Sequence, residues 1–383
     1  MLTPWDDYPI HADADPIATP SSANPNHYDR YFFNGHERDG AFYIGGAMGH
    51  YPVLGVIDAA FSIVIDGVEH SVFASGRMPL DRATEIGPIR IDVVEPMRVL
   101  RFTVAPNDSP LVCDLTWRAR TVVVEEPRQR NVTRDGIVTN EHTRLTQWGT
   151  WEGTVTVDGR QVDVDPARVF GTRDRSWGMR GLSTPIPTNR ANYGGGAFWL
   201  WAPLYFDDLC THLALHEYPN GKRWVESTLF VPLLESPDAP TWGIGVDNST
   251  EMIEFDYELD FYPGSRRIRS AVFHLVDPEG QKHQIDLETL YTFRMRGIGY
   301  THPQFGHGSI HGELEVGHEA IELDDFPDPD PTTWHMQNVV VARMAGSGGE
   351  AGRTGIGVLE QALIGPHAKT GLTGFLDPAP AKA

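Results

Sequence analysis

Apolar and polar side chains alternate along much of this chain. In LVCDLTWRAR, residues 111–120, every odd position is apolar, and the even positions from Asp114 onward are polar. A period of two places the apolar side chains on one face of a β-strand. The same alternation occurs in FDYELDFY, residues 255–262, which runs directly into the turn sequence PGS. Both segments therefore predict strands with one face in a core and the other in water.

Turn signals separate these runs at short intervals. DPEG at 277–280 lies between two β-rich runs, and Asp-Gly or Asn-Gly pairs, which favour tight hairpins, occur at 66–67, 135–136, 158–159 and 220–221. No apolar period of 3.6 residues persists for three turns, so we expect at most a short helix near 79–86 or at the C-terminus. The pattern predicts an all-β protein built from two antiparallel barrels or sandwiches, and not a βαβ architecture.

The chain is long enough for two domains, because its 383 residues can form two cores of ordinary size. The boundary is predicted near RLTQWGTWEG, residues 144–153, where two tryptophans precede a new hairpin. Residues 324–334 are rich in Pro and Asp and predict a loop. The predicted divisions are a loosely ordered N-terminal segment 1–27, a first barrel 28–148, a second barrel 149–370 and a C-terminal tail 371–383.

Charge and composition exclude several classes of partner. The formal net charge of −21 would repel nucleic acid and anionic membranes. No window is apolar enough to span a bilayer, and the first residues lack the pattern of a secretory signal. Cys113 and Cys210 belong to no CxxC motif or Cys/His cluster, which predicts buried thiols in a reducing compartment. We expect a cytoplasmic protein; a homodimer is compatible with the sequence, which does not determine the oligomeric state.

Four motifs carry a resemblance to a known group of proteins. They are GTRDRSWGMRG at 171–181, FWLWAPLYFDD at 198–208, GIGYTHPQFGHGSIHGE at 297–313 and GIGVLEQALIGPH at 355–367. In their order and spacing, from about Tyr28 to His367, the chain resembles two-domain proteins related to hydroxyneurosporene synthase (the carotenoid hydratase), kievitone hydratase and lipocalin-like Diels–Alderases. The resemblance implies two consecutive lipocalin-like β-barrels with a ligand pocket within or between them. It also implies an apolar polycyclic or isoprenoid ligand and no redox cofactor.

The first motif allows two interpretations of Asp174. Contact with the flanking Arg173 or Arg175 would lower the pKa of its carboxyl, but in a strand these arginines point to the opposite face, which makes Arg180 the alternative partner. The favoured interpretation is a buried Arg–Asp clamp at a domain corner, with Trp177 as its apolar lid. A broken clamp would cost ~3–5 kcal/mol in Asp174→Asn. The other interpretation is a catalytic site in which carboxylate and indole stabilise positive charge on carbon.

The second motif concentrates aromatic side chains beside two carboxylates. Such aromatics either fill a barrel core or line an apolar ligand cavity, and their density favours the cavity. Asp207 and Asp208 point to opposite faces of a continuing strand, so at most one faces a pocket. Burial beside indoles would raise the pKa of that carboxyl and make it a proton donor.

Histidines are the third candidate set. The spacing of His302, His307 and His311 matches no zinc module, so no metal is expected. His302 or His307 is predicted to act as an acid or base, because imidazole titrates near neutral pH. His212 and His216 share one face of a predicted strand and form a weaker case.

These observations predict a cofactor-independent hydratase, dehydratase, isomerase or cyclase acting on an apolar isoprenoid, terpenoid or steroid-like substrate. The alternative is a non-catalytic carrier of an apolar small molecule; a wholly apolar cavity would favour it, whereas a carboxylate or imidazole at the cavity favours the enzyme. The predicted catalytic residues are Asp174, His302, His307, Asp207 and Asp208. The predicted substrate-binding residues are Trp177, Tyr193, Phe198, Trp199, Trp201, His212, Tyr300 and Arg180.

Overall fold

The structure is a computed structural model that describes residues 1–132, 136–181, 196–328, 330–346 and 352–380. Tyr193 lies outside these ranges. The described residues form two antiparallel β-sheets and three short 3-10 turns, at Pro4–Asp7, Met295–Ile298 and Leu323–Asp325, and they contain no α-helix. The segment 79–86, where a short helix was allowed, ends instead in a two-residue strand. The prediction of an all-β protein with two lipocalin-like barrels is confirmed.

The first sheet is formed mainly by the N-terminal part of the chain. Its strands, in chain order, are β1 (His27–Glu37), β2 (Phe42–Tyr51), β3 (Val56–Ile65), β4 (Val68–Arg77), β5 (Glu85–Ile86), β6 (Ile89–Glu95), β7 (Val99–Val104), β8 (Leu111–Ala119), β9 (Val124–Glu125), β10 (Gln129–Val132), β11 (Val138–Val157), β12 (Arg160–Val164) and β13 (Val169–Met179). β1 to β4, β5 to β8 and β10 to β12 pair in chain order, whereas β1 also pairs with β13, and β11 also pairs with β13, β8 and β9. The motif GTRDRSWGMRG therefore lies mostly on β13, in the middle of the sheet.

The second sheet is formed by the C-terminal part of the chain, which also supplies one strand to the first. The strands are β14 (Phe198–Tyr205), β15 (Leu209–Glu217), β16 (Arg223–Pro232), β17 (Thr250–Glu251), β18 (Glu254–Phe261), β19 (Ile268–Val276), β20 (Lys282–Arg294), β21 (Leu314–Glu322), β22 (His335–Met344) and β23 (Arg353–Leu363). All belong to the second sheet except β21, which pairs with β4 at the edge of the first.

The predicted boundary does not coincide with a break between the sheets. The predicted division at 148/149 falls inside β11, a strand of twenty residues, and β12 and β13 continue the first sheet as far as Met179. The two tryptophans that suggested a boundary, Trp148 and Trp151, are both buried on this strand. Twenty residues of strand span roughly 66 Å, so one strand can pair with several short ones along its length. β11 pairs in this way with β8, β9, β10, β12 and β13.

Each sheet curls around its own apolar core, as the alternating pattern predicts. On β8 the odd positions from Leu111 to Ala119 are buried, and Phe255, Tyr257 and Leu259 are buried on β18. The first core contains aromatic side chains such as Phe33, Trp117 and Trp151. The second contains Phe198, Leu200 and Tyr257. Side chains therefore fill both barrel interiors.

A third apolar cluster joins the two sheets face to face. Phe32 and Tyr43 from the first sheet pack there with Trp201, Phe293 and Val339 from the second. Polar contacts cross the same interface. Tyr43 donates a hydrogen bond to Gln337 Oε1 at 2.8 Å, and Asn34 donates to the same oxygen at 3.2 Å. The interface is thus a core in its own right, and it fixes how the sheets face one another.

The C-terminal segment is held more firmly than the composition suggested. Arg266 is 5% exposed and donates hydrogen bonds to the carbonyl oxygens of Leu363, Gly365, Gly374 and Asp377. These bonds tie residues 363–377 to the second sheet, so the expectation of a loose tail from 371 is wrong for its first part.

Both cysteines are buried free thiols, as predicted. Among the described helices, none has the length and apolar character needed to cross a membrane.

Candidate functional site

A cleft of about 330 Å³ lies between the two sheets. Its side chains come from both halves of the chain. Gln129, Asn140, His142 and Arg144 belong to the first sheet. The cleft is completed by Arg180, Gly181, Ala197, Trp199, His216, Tyr300, Thr301, His307, Trp334, His335, Glu360 and Ala362. The lining combines aromatic rings with titratable groups, so this cavity is not wholly apolar.

A histidine–carboxylate pair forms one wall of the cleft. His335 Nε2 lies 2.8 Å from Glu360 Oε1. Glu360 also accepts hydrogen bonds from Trp199 Nε1 at 2.9 Å and from Gln337 Nε2 at 2.6 Å. Burial opposes the charge of Glu360, but His335, Gln337 and Trp199 outweigh it and hold the pKa of this carboxyl below its usual value. An ionised carboxylate only accepts, so in the neutral form of His335 the proton is on Nε2 and the lone pair is on Nδ1.

Arginines and tyrosines form a second wall of the site, in which Arg144, Arg180 and Tyr300 line the cleft. The register pairs Ser176 with Arg30 on one side and with Arg144 on the other, so these three side chains point to the same face of the first sheet. The Arg30 guanidinium lies 4.5 Å from the centre of the Tyr300 ring. Arg180 lies 4.7 Å from the ring centre of Tyr28. This wall is strongly cationic, although the protein as a whole carries a charge of −21.

Asp174 lies on this same face, two residues before Ser176. It pairs in register with Phe32 and Thr146, and it is partly accessible. Burial raises the pKa of its carboxyl to about 6, although Arg144 acts in the opposite direction. The arginines lower this pKa, as expected, but removal from water outweighs their charge, so the net shift is upward.

The arginine clamp is also absent from the described part of the chain, where Asp174 forms no ion pair with an arginine. The flanking arginines point to the other face, as a strand requires. Arg173 donates to Gln147 Oε1 at 2.8 Å, and Arg175 pairs with Asp29. Arg180 lines the cleft and stacks on tyrosine. Within the described ranges, none of these arginines therefore holds the carboxyl of Asp174 in a direct ion pair.

Three cleft histidines are held in the neutral form. Burial lowers the pKa of His307 to about 3 and that of His216 to about 3. Burial, with the nearby charges of Arg144 and Arg180, lowers the pKa of His142 to about 2. His307 also lies edge-on to Tyr300, with ring centres 4.6 Å apart. Neutral imidazoles can donate and accept hydrogen bonds here, but they do not add positive charge.

Two predicted proton donors lie elsewhere. At most one of Asp207 and Asp208 was expected to face a pocket beside buried indoles, but both are exposed, because the chain turns outward after Tyr205. Asp207 pairs with Arg38 at 2.9 Å and Asp208 with Arg353 at 2.9 Å, both at the surface. Both carboxylates lie in water, and neither has the apolar surroundings expected of a buried proton donor.

His302 has a different place from the one expected. Its Nδ1 accepts backbone N–H bonds from Gln304 at 3.1 Å and Phe305 at 2.7 Å, and its Nε2 faces Glu319 at 3.1 Å. Both ring nitrogens therefore contact the loop that follows Tyr300 and its surroundings. Tyr300 itself does line the cleft. His302 therefore positions this loop and lies outside the cleft lining. His311 contacts Glu315 at 2.8 Å.

The aromatic candidates lie in four different places. Trp199 lines the cleft, but Phe198 points into the second barrel core, where its ring stacks on His367. Trp177 is 43% exposed on the opposite face from Asp174, so it forms no lid. Trp201 lies behind the cleft and donates to His212 Nδ1 at 3.3 Å. His212 and His216 do share one strand face, yet only His216 lines the cleft.

The sequence analysis missed Glu360 and His335. Glu360 is a single carboxylate within the apolar run GIGVLEQALIG, and a buried charge in such a run needs a partner. This signal was available, but the partner comes from another strand, so spacing could not identify it. Arg144 and His142 were not predicted because they alternate with apolar residues on β11, and such polar positions are expected to face water.

A larger groove of about 760 Å³ is formed by strands of the second sheet. It is lined by side chains such as Arg223, Glu226 and Asp256, and Arg223 pairs there with Glu226 at 2.8 Å. We consider the smaller cleft the better candidate, because it contains buried groups with shifted pKa values, namely Glu360, His142 and His216. No group of three metal-binding side chains occurs among the residues that the structure describes.

Comparison with known proteins agrees with the fold. The sequence model of a family of unknown function, DUF8625, matches residues 2–373. Kievitone hydratase from Nectria haematococca superposes with a TM-score of 0.50 at 12% identity, covering 92% of this chain and 94% of that protein. CghA superposes with a TM-score of 0.51 at 11% identity, covering 94% of this chain and 90% of the other. No curated protein sequence matches. The resemblance to the lipocalin-like hydratase group is confirmed as a shared fold.

Proposed function

The chain belongs to the family of unknown function DUF8625, and we propose that it is an acid–base enzyme of the hydratase, dehydratase or isomerase type. The observation that carries the proposal is the His335–Glu360 pair in the cleft between the sheets. A carboxylate that fixes the tautomer of a histidine also stabilises the imidazolium formed when the ring takes a proton. The shared fold with a hydratase supports this class of reaction.

The positive charge of the cleft favours a reaction through an anionic intermediate over one through a carbocation. A carbocation would be repelled by Arg144 and Arg180, whereas an enolate or another anionic intermediate would be stabilised by them. We therefore favour proton removal from carbon beside a carbonyl group over protonation of an isolated double bond. This differs from the cationic mechanism that the aromatic side chains first suggested.

In the dehydration direction, the proposed reaction begins with proton removal by His335. His335 Nδ1 removes a proton from the carbon next to the carbonyl, and the electron pair of that C–H bond forms the enolate. The enolate then collapses to a C=C bond, and the C–O bond to the departing hydroxyl breaks. A protonated Asp174, whose pKa is about 6, supplies the proton that makes the leaving group water. Hydration follows the same steps in reverse.

The finer properties remain predictions from the resemblance. We propose an isoprenoid, terpenoid or steroid-like carbon skeleton that lies against aromatic side chains such as Trp199 and Trp334. We further propose that the reaction needs no cofactor and occurs in the cytoplasm. The polar cleft disfavours the alternative of a simple carrier, which would need only an apolar cavity.

The test is proton exchange at carbon. Purified protein is incubated in deuterated water with a panel of terpenoid and steroid β-hydroxy ketones and the corresponding enones, and products are analysed by mass spectrometry. We expect deuterium next to the carbonyl and loss or gain of water, each dependent on the protein. Ligand-induced thermal stabilisation without label in any compound would contradict the enzyme and favour the carrier.

A further inference from the structure

Three arginines surround the carboxyl of Asp174, on the face of the first sheet that carries the cleft-lining Arg144. Arg30 and Arg144 share a row of the first sheet through Ser176, and Arg180 follows β13 directly. The carboxyl of Asp174 experiences the positive charge of all three. Three guanidinium groups around one carboxyl, which is itself partly protonated near neutral pH, leave excess positive charge.

Aromatic rings orient these arginines more than carboxylates do. Arg144 lies 5.5 Å from the ring centre of Trp199, and Arg180 lies 5.6 Å from that of Tyr300 as well as against Tyr28. Stacking fixes the plane of a guanidinium but leaves its N–H groups free to donate. Arg144 has one distant carboxylate contact, with Glu126 at 3.4 Å. In the described ranges, neither Arg30 nor Arg180 forms an ion pair with an acidic side chain.

Several donor atoms in this wall are buried and make no hydrogen bond to another described residue. They are Nε and Nη1 of Arg30 and Nε of Arg144. The Arg30 residue is 1% exposed. Each unsatisfied buried donor costs ~1–3 kcal/mol. The wall therefore has hydrogen-bonding capacity that its own side chains do not use.

The two arginines that line the cleft face the region next to the His335–Glu360 pair. Arg144 stacks on Trp199, and Trp199 donates its indole N–H to Glu360. Arg180 contacts Tyr300, whose ring lies edge-on to His335 with centres 4.4 Å apart. A group held by these arginines would thus be separated from the proton-transfer pair by one aromatic side chain, and the rest of the ligand would lie against the aromatic rings.

We propose that the natural ligand of the cleft carries a carboxylate, which Arg144 and Arg180 bind while Arg30 adds positive charge from behind Tyr300. This inference rests on the proposed function for the identity of the cleft, and it names the substrate class: an organic acid with an apolar, terpenoid-sized body. The planar guanidinium matches a planar carboxylate through two parallel N–H bonds. Anion binding at this one place also explains why cationic residues are concentrated here in a protein of net charge −21.

The experiment compares acids with their neutral derivatives on the full chain. Calorimetric titration is carried out with acetate, benzoate and geranic acid, each beside its methyl ester, and with inorganic phosphate. We expect geranic acid to bind at least tenfold more tightly than methyl geranate, and benzoate more tightly than methyl benzoate. Equal affinity of acid and ester, binding of no acid, or tighter binding of phosphate than of every acid would overturn the proposal.

Matched variants locate the effect. Arg144→Met and Arg180→Met should each reduce the preference for acid over ester by tenfold or more. Arg38→Met removes a surface arginine paired with Asp207 and should leave the preference unchanged. Persistence of the full preference in both cleft variants would overturn the assignment. If a Met variant fails to fold, the Lys variant at the same position, Arg144→Lys or Arg180→Lys, replaces it, because a lysine keeps the charge but loses the two-bond geometry.

The outcome is separable from that of the proposed function. Selective acid binding with no deuterium exchange in any compound would leave the carboxylate site in place and contradict the enzyme. Deuterium exchange on neutral ketones without any preference for acids would support the enzyme and contradict the carboxylate site.

Discussion

Asp174 is the residue whose role the structure changes most. As a clamp it would stabilise the fold by its charge, whereas the structure shows a carboxyl whose pKa rises from 3.8 to about 6 because it is buried. A raised pKa means that the folded state binds the proton more tightly than the unfolded state. This contribution to stability is complete below about pH 4 and is lost as the pH rises through 6.

Asp174→Asn should therefore gain stability relative to the wild type as the pH rises. The amide carries no charge to bury, so we expect a free energy of unfolding roughly 1–2 kcal/mol above the wild type at pH 8 and little difference at pH 4.5. Urea unfolding at both pH values measures this. A loss of ~3–5 kcal/mol at pH 8 would instead support the clamp. Turnover should fall in the same variant, because an amide cannot supply the proton.

Single residues also show the limit of sequence reasoning. Alternation on β13 correctly predicted that Arg173 and Arg175 point away from Asp174. The position of Glu360 relative to His335 could not be predicted, since it depends on how β22 pairs with β23 in the folded sheet. A pKa depends on burial, which a single sequence indicates only coarsely.

At the scale of elements, β21 connects the two halves of the chain. The strands before and after it in the chain, β20 and β22, belong to the second sheet, whereas β21 pairs along its whole length with β4 of the first sheet. Its edge position is made possible by Gly76, because a Cβ there would collide with the backbone of Glu313 and Leu314. Nothing in the local sequence distinguishes β21 from a strand of the second sheet, so only the topology reveals it.

Gly76→Val should loosen β21 selectively. The added side chain meets backbone atoms that cannot move aside without breaking the pairing, so we expect a loss of roughly 1–3 kcal/mol. Hydrogen–deuterium exchange should then be faster in residues 314–322 than elsewhere in the first sheet. Ala320→Val, which adds a similar side chain at an exposed position of the same strand, serves as the control. Unchanged exchange in Gly76→Val would contradict this account of the edge.

At the scale of the whole molecule, the fold was predictable and the site was not. Alternation and turn signals are local properties of the sequence, and they identify individual strands. The all-β class therefore followed from the sequence. The cleft arises only where the outer faces of two sheets meet, and its lining comes from positions between about 129 and 362. The exposed Asp207 and Asp208 show the consequence, because a motif that looks chemical locally can end at the surface.

The central claim is that His335, held by Glu360, moves a proton in this cleft. The most direct measurement is the rate of deuterium incorporation by His335→Asn beside that of His274→Asn, which alters an exposed His–Glu pair at 3.3 Å on the second sheet. We expect the cleft variant to lose ~10²–10⁴-fold in rate with its fold intact by circular dichroism, and the surface variant to match the wild type. A wild-type rate in His335→Asn would contradict the account.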